Sequence, residues 1–325
     1  MELSRSASTT AVPKSRRRWP KVLLIVFGTI AILISGGIYW FSLHMLKQAF
    51  SHRVEKLIAT PATYGLQGET IVLTSSDKIP LKAWWIAAQE TRPRGVVILL
   101  HGMDGMDAST LLGHAKFLHD VGYAAMSLDM RAHGRSGGER IGGSVEEPRD
   151  VIAALDWLKR QPSIESVPPV ILLGISMGGA TALRTAALRP DVAAVISVSA
   201  FCSVNQALQE VFDHSDMPKA VVALLMPFMR LALATLYGVW PGTLSTLHDI
   251  DRIPPRPILI AHGTADDQIA VDNAYRLAKA SGNRAQLWIV QGAGHGIYVG
   301  EVTDPANAAY REHILKFLDG VVSNR

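Results

Sequence analysis

ILLGISMGGATALRTA, residues Ile171–Ala186, passes from an apolar run (Val170 to Leu173) through a serine flanked by glycines into an alanine-rich helix former. The pattern predicts a strand, a sharp turn and a helix, with Ser176 at the apex. At such a turn any side chain at position 174 or 178 collides with neighbouring elements, so Gly174 and Gly178 meet a steric requirement. The helix that follows aims its unpaired N–H groups and positive dipole end at the serine hydroxyl, which favours negative charge developing there. A phosphate-binding loop is the weaker reading, because no Gly-Lys-Ser/Thr follows and no acidic strand end supports a dinucleotide site. A merely structural turn is the other rival, and the rest of the chain must discriminate.

Working outward, apolar strand patterns alternate with helical ones from Glu69 to the carboxyl terminus. Thr70 to Thr74 and Leu81 to Ile86 flank a polar turn and predict an antiparallel hairpin. Gly95 to Leu100 is a continuous apolar run, as in a strand buried on both faces. Helix Ser109 to Asp120 and strand Ala124 to Leu128 come next. Ser144 with Glu147 then reads as a capping box for a helix through Arg160. Beyond the Ser176 turn, strands are expected at Val192 to Val198, Pro257 to Ala261 and Ala285 to Val290. Helices are expected at Asp272 to Ala280 and after Asp304-Pro305. Right-handed crossovers make this an α/β fold with a mostly parallel, doubly wound sheet, its functional loops gathered at the strands' carboxyl ends. The alternation breaks between about 201 and 255, where the Met- and Leu-rich run Met217 to Trp240 predicts a helical lid over an apolar pocket. A second membrane span is disfavoured by Pro227 and Arg230 in mid-run.

With 325 residues, 48% apolar and 18% charged, the chain has enough apolar material for one large domain plus an appendage. The net charge of +4 is concentrated at Arg5, Lys14, Arg16, Arg17, Arg18 and Lys21, which points to a membrane flank and not to a nucleic-acid surface. The single cysteine, Cys202, excludes an intrachain disulfide and reads as a small buried residue. Residues 1–20 are polar and basic and are expected to be disordered. Val22 to Phe41 carries no charge over the ~20 residues a helix needs to cross a bilayer, with Trp19, Tyr39 and Trp40 at its ends. A transmembrane helix at 21–41 is therefore expected, an uncleaved anchor in preference to a signal peptide. The basic excess before it predicts a cytoplasmic amino terminus and a domain on the extracytoplasmic side. Residues 42–68 read as a juxtamembrane helix and linker, and 69–325 as the catalytic domain.

Acyl transfer by a serine needs a base, an acid to orient it and donors for the oxyanion. The loop after strand Pro257 to Ala261 is His262-Gly263-Thr264-Ala265-Asp266-Asp267, and that after Ala285 to Val290 is Gln291-Gly292-Ala293-Gly294-His295-Gly296. Both leave the sheet end that carries Ser176. His295 is the candidate base and Asp266 the candidate acid, with Asp267 the alternative. His101, His133 and His262 read as turn residues held by backbone hydrogen bonds, and Asp129 as the anchor of the Arg131 to Gly138 loop. The N–H groups of Met103 and Met177 are the candidate oxyanion donors.

These segments, with His101-Gly102-Met103-Asp104-Gly105, Asp129-x-Arg131-x-His133-Gly134-x-Ser136-Gly137 and Gly174-x-Ser176-x-Gly178, resemble the α/β-hydrolases, in the branch that includes acylglycerol lipases and serine-aminopeptidase-like hydrolases. Ala132 stands where that branch usually has glycine. The resemblance implies a cofactor-free serine hydrolase; the apolar span predicts that it is anchored in a membrane, and the apolar lid that it acts on a small-molecule or lipid ester or thioester with a hydrophobic acyl part. A peptidase or amidase of the same fold, a hydrolase-fold binding protein without catalysis, and acyl transfer to another acceptor are the alternatives.

Overall fold

The structure is a computed structural model that describes residues 19–103, 105–161, 168–239, 245–282 and 284–323. The expectation of disorder for the amino-terminal segment therefore falls almost wholly outside the described residues. The first element, α1 (Trp19–Phe50), is a single 32-residue helix, about 48 Å long at 1.5 Å per residue. Residues 19–37 are exposed throughout, whereas Ser42, Leu46 and Phe50, one turn apart on one side of the helix, are buried. The helix thus does not end where the apolar run ends, and one face of its last third packs on the domain. The sequence reads 42–68 as a juxtamembrane helix and linker; the helix continues to Phe50, and its 42/46/50 stripe packs inward, against α6 (Lys219–Tyr237).

The sheet has eight strands in the order β1-β2-β4-β3-β5-β6-β7-β8. Strands β1 (Glu69–Thr74) and β2 (Pro80–Ile86) form the expected hairpin, and β2 pairs antiparallel with β4 (Ala124–Asp129). All other neighbours are parallel: β3 (Val96–Leu100), β5 (Val170–Ile175), β6 (Val192–Val198), β7 (Ile258–Gly263) and β8 (Ala285–Val290). Alternate residues of β3 serve two cores. Val96, Ile98 and Leu100 face the side with α3 (Pro148–Lys159), α4 (Met177–Leu188) and α8 (Asp272–Ala280). Val97 and Leu99 face α2 (Leu112–Asp120) and α9 (Ala308–Ser323). The central strands bury every residue, which is why they read as unbroken apolar runs and not as alternation.

The insert is helical, with α5 (Val204–Asp213), α6 (Lys219–Tyr237) and α7 (Thr246–Asp251). Because β7 and β8 rejoin the same sheet after it, α6 does not cross to another compartment. It lies beside the end of α1, where Tyr39 donates its hydroxyl to Thr235 Oγ1 at 3.0 Å and Phe50 meets Tyr237 edge to face at 6.1 Å.

Two local expectations differ from the structure. Helix 109–120 opens as a 3-10 turn, Ala108–Leu111, capped by the Asp107 carboxylate. The Ser144/Glu147 capping box does not form, since Ser144 takes a positive φ of 69° and Glu147 turns its side chain inward. There Glu147 is fully buried, with Oε1 accepting Gly142 N–H at 2.6 Å and Oε2 without a partner. Burial, then the Asp150 charge, raise its pKa to about 7 against the pull of its own N–H, Arg131 and Gly142 N–H. Next to it Arg131 joins Asp150 and Asp77 at 2.7 Å each. A polar cavity of about 380 Å³ borders this network, lined by Asp77, Arg131, Arg140 and Glu146 among others and by none of Ser176, Asp266 and His295.

Candidate active site

The site begins with backbone strain. Ser176 sits between β5 and α4 at φ 57° and ψ −118°, a conformation that costs a non-glycine residue about 1–3 kcal/mol. Crowding enforces it. A Cβ on Gly174 would lie 2.1 Å from Gly178 O, and one on Gly178 would lie 2.1 Å from Leu100 O. Those contacts are with backbone, which cannot rotate away, so the two glycines are required for the reason the sequence suggested. Ser176 N–H is bonded to Val198 O at 2.8 Å, which ties the apex to the end of β6.

The candidate acid and the candidate base meet. His295 Nδ1 donates to Asp266 Oδ2 at 2.8 Å; the acceptor is a carboxylate, so in the neutral ring the proton is on Nδ1 and Nε2 carries the lone pair. The Asp266 side chain is buried, and its Oδ1 accepts Gln268 N–H and Ile269 N–H, both at 2.9 Å. Burial pushes its pKa up, but hydrogen bonds from His262, His295 and Ile269 N–H prevail and hold it well below the usual carboxylate range. Asp267 is exposed and makes no contact of this kind among the described residues. The two loops are pressed together at Gly263, where a Cβ would lie 2.1 Å from Ala293 O.

Among the described residues the Ser176 hydroxyl has no hydrogen bond to His295; backbone links bring the two loops to the same place. Ser199, one residue beyond the Val198 carbonyl that holds Ser176, donates its hydroxyl to His295 O at 2.6 Å. The loop after β3 also passes the elbow, with the Cβ position of Gly102 3.5 Å from Ser176 Cβ. Met103 therefore stands next to the serine, half-buried. Met177 opens α4, so its N–H has no acceptor within the helix. Asp104, quoted in the sequence motif, lies outside the described residues.

The turn histidines behave as expected, with one addition. Buried His101 bonds Gly102 O at 2.7 Å through Nδ1 and accepts Met130 N–H at 3.1 Å, and burial lowers its pKa to about 4. His133 bonds Arg131 O at 2.8 Å. Asp129 accepts Ala108 N–H at 2.8 Å and Arg135 Nε–H at 3.0 Å, anchoring its loop. His262 does more than hold a turn. Its Nε2 lies 2.9 Å from Ile269 O and 3.0 Å from Asp266 Oδ2, so one N–H serves the carbonyl and the acid together. Asp266 is gripped by two imidazoles. Sequence reasoning missed this role, although the four-residue spacing of His262 and Asp266 was visible.

Also missed was Glu210 of the insert, which accepts Ala270 N–H at 3.1 Å and Asn273 Nδ2–H at 2.8 Å, tying α5 to the loop that carries Asp266. No sequence signal distinguishes it from a solvated helical glutamate. Cys202 is buried, its thiol pushed up to about 12 by burial, and its Sγ meets Asn273 O. It has no thiolate character to offer.

The model of the serine aminopeptidase S33 family matches residues 91–249. An uncharacterized Bacillus subtilis protein, YqkD, is 24% identical over 316 residues, covering 93% of this chain and 98% of its own. Human monoglyceride lipase is 26% identical over 255 residues, covering 68% of this chain and 81% of its own. Among solved structures, the Pyrococcus furiosus esterase Pf2001 superposes with a TM-score of 0.65 at 21% identity, over 83% of this chain and 98% of the esterase.

Proposed function

Since the chain is an α/β-hydrolase, of the branch that includes acylglycerol lipases and serine-aminopeptidase-like hydrolases, we propose that it is an ester hydrolase working through Ser176, Asp266 and His295. The observation that carries this is the buried Asp266–His295 pair at 2.8 Å, on loops that leave the same sheet end as the strained Ser176 turn. In this reading His295 Nε2 takes the Ser176 proton as Oγ bonds to the substrate carbonyl carbon. The oxyanion so formed accepts from Met103 N–H and Met177 N–H. The departing alcohol or thiol collects the proton from His295 and leaves an acyl-enzyme. Water then adds by the same route, its proton passing through His295 back to Ser176 as the carboxylic acid departs. Asp266 keeps Nδ1 protonated and steadies the imidazolium.

Two features favour an apolar acyl group in an ester or thioester. The insert beside the site is rich in Met and Leu, and the lipase and esterase relatives carry the same fold. The family model's aminopeptidase description keeps amide cleavage as the second reading. The exposed apolar stretch 19–37 of α1 supports a membrane anchor with the basic amino terminus on the cytoplasmic side. In the test, the full chain reacts with a fluorophosphonate probe and cleaves p-nitrophenyl esters of graded length, while Ser176→Ala does neither. A Ser176→Ala protein with wild-type turnover would end the proposal.

A further inference from the structure

The stretch between α1 and the sheet is bound down like part of the domain. Arg53 gives its guanidinium to Gly138 O at 3.1 Å and Gly134 O at 3.2 Å. Val54 N–H bonds Ala132 O at 2.8 Å, and Gly134 N–H returns to Val54 O at 2.7 Å. Three residues on, the chain reaches the loop after β3. Asp107 Oδ2 accepts Leu57 N–H at 2.7 Å and Lys56 N–H at 3.1 Å, while Ser109 Oγ accepts Ile58 N–H at 3.0 Å. The circuit closes because Ser109 donates its own N–H and hydroxyl to Asp107 Oδ1. Leu57 is held at φ 32°, a left-handed conformation that a slack linker would abandon. A flexible tether leaves its backbone to water; this one delivers consecutive N–H groups to a carboxylate that is 1% exposed.

The loop so gripped is the one that passes the elbow. Met106 N–H closes a turn on Met103 O at 3.3 Å, one residue before Asp107, and the Cβ position of Gly102 meets Met106 Sδ and Ser176 Cβ. We infer that residues 53–58 are a strap that sets the oxyanion loop, and that Asp107 is the positioning residue through which the anchor helix and the Met103 N–H are held as one unit. This rests on the serine-hydrolase reading above. A carboxylate suits the task, because it accepts on both oxygens and so holds the strap on one and the turn of its own loop on the other. An asparagine in its place puts an NH2 against at least one of these donor groups.

The test uses the full chain in detergent, with active sites counted by fluorophosphonate. Asp107→Asn is expected to lower kcat on a p-nitrophenyl ester by about 10- to 100-fold with KM little changed, a fraction of the ~10²–10³ that one oxyanion donor supplies. Affinity for a trifluoromethyl ketone, which forms a tetrahedral adduct on the serine, is expected to fall by the same factor. Ser109→Ala, which takes one neutral acceptor from the strap, is expected to show the same split at smaller size and decides the matter if Asp107→Asn does not fold. Wild-type kcat and ketone affinity per titrated site in the folded variants overturn the strap, as does a loss of activity that only follows the folded fraction. A wild-type chain inert to fluorophosphonate would instead overturn the serine-hydrolase reading itself.

Discussion

Glu147 makes the stability of the fold depend on pH. Its carboxyl is buried with one oxygen unpartnered, and its pKa stands at about 7 in the fold against 4.5 when unperturbed. A shift of that size, at 1.36 kcal/mol per pH unit, is worth about 3 kcal/mol. The sign follows from proton binding. Below pH 4.5 both folded and unfolded chains carry the proton, and the group contributes no pH dependence. Between 4.5 and 7 the unfolded chain releases it first, the folded chain binds more protons, and stability falls as pH rises. Above pH 7 the full deficit is present. Glu147→Gln keeps an oxygen for Gly142 N–H and cannot ionise, so it imitates the protonated side chain at every pH. Urea unfolding of both proteins from pH 4 to pH 8.5 is the assay; the difference between them cancels the other titrating groups. The variant should match the wild type within about 1 kcal/mol at the acid end and exceed it by about 3 kcal/mol at the alkaline end. A difference that is flat with pH, or of the opposite slope, would show that Glu147 is ionised in the fold and refute the assignment.

Other expectations concern the site and its neighbouring loop. Asp266→Asn cannot hold His295 with its proton on Nδ1, and kcat should fall by about 10³–10⁴-fold while fluorophosphonate-inactive protein remains folded by circular dichroism. Ala132, at φ 59° and fully buried, should accept glycine with stability within about 1 kcal/mol, since relieved strain offsets a lost methyl and a freer unfolded chain. Ala132→Val, β-branched at positive φ, should cost more than about 2 kcal/mol, both variants being measured by urea unfolding.

Much of this was legible because the elements around the site are set by local sterics and by burial on both faces. Gly174, Ser176 and Gly178 announce the elbow through contacts no larger residue survives, and the unbroken apolar runs at β3, β5 and β6 mark strands in mid-sheet. What escaped the sequence depends on partners far along the chain. Ser144 and Glu147 have the spacing of a helix cap, yet the buried Arg131 network and Gly142 N–H draw the glutamate inward. Glu210 finds Asn273 only because the insert folds back over the loop after β7. The 42/46/50 stripe could be counted in advance, but an apolar helix gives no sign of which neighbour, lipid or protein, will cover it.

Trp19 to Phe50 is one continuous helix, and one face of its final turns is packed on the domain. With the exposed end in a bilayer, any tilt the lipid imposes on that rod becomes a tilt of the whole sheet. In the proposed anchored state, such a tilt would be carried through the sheet to the strand end that bears Ser176.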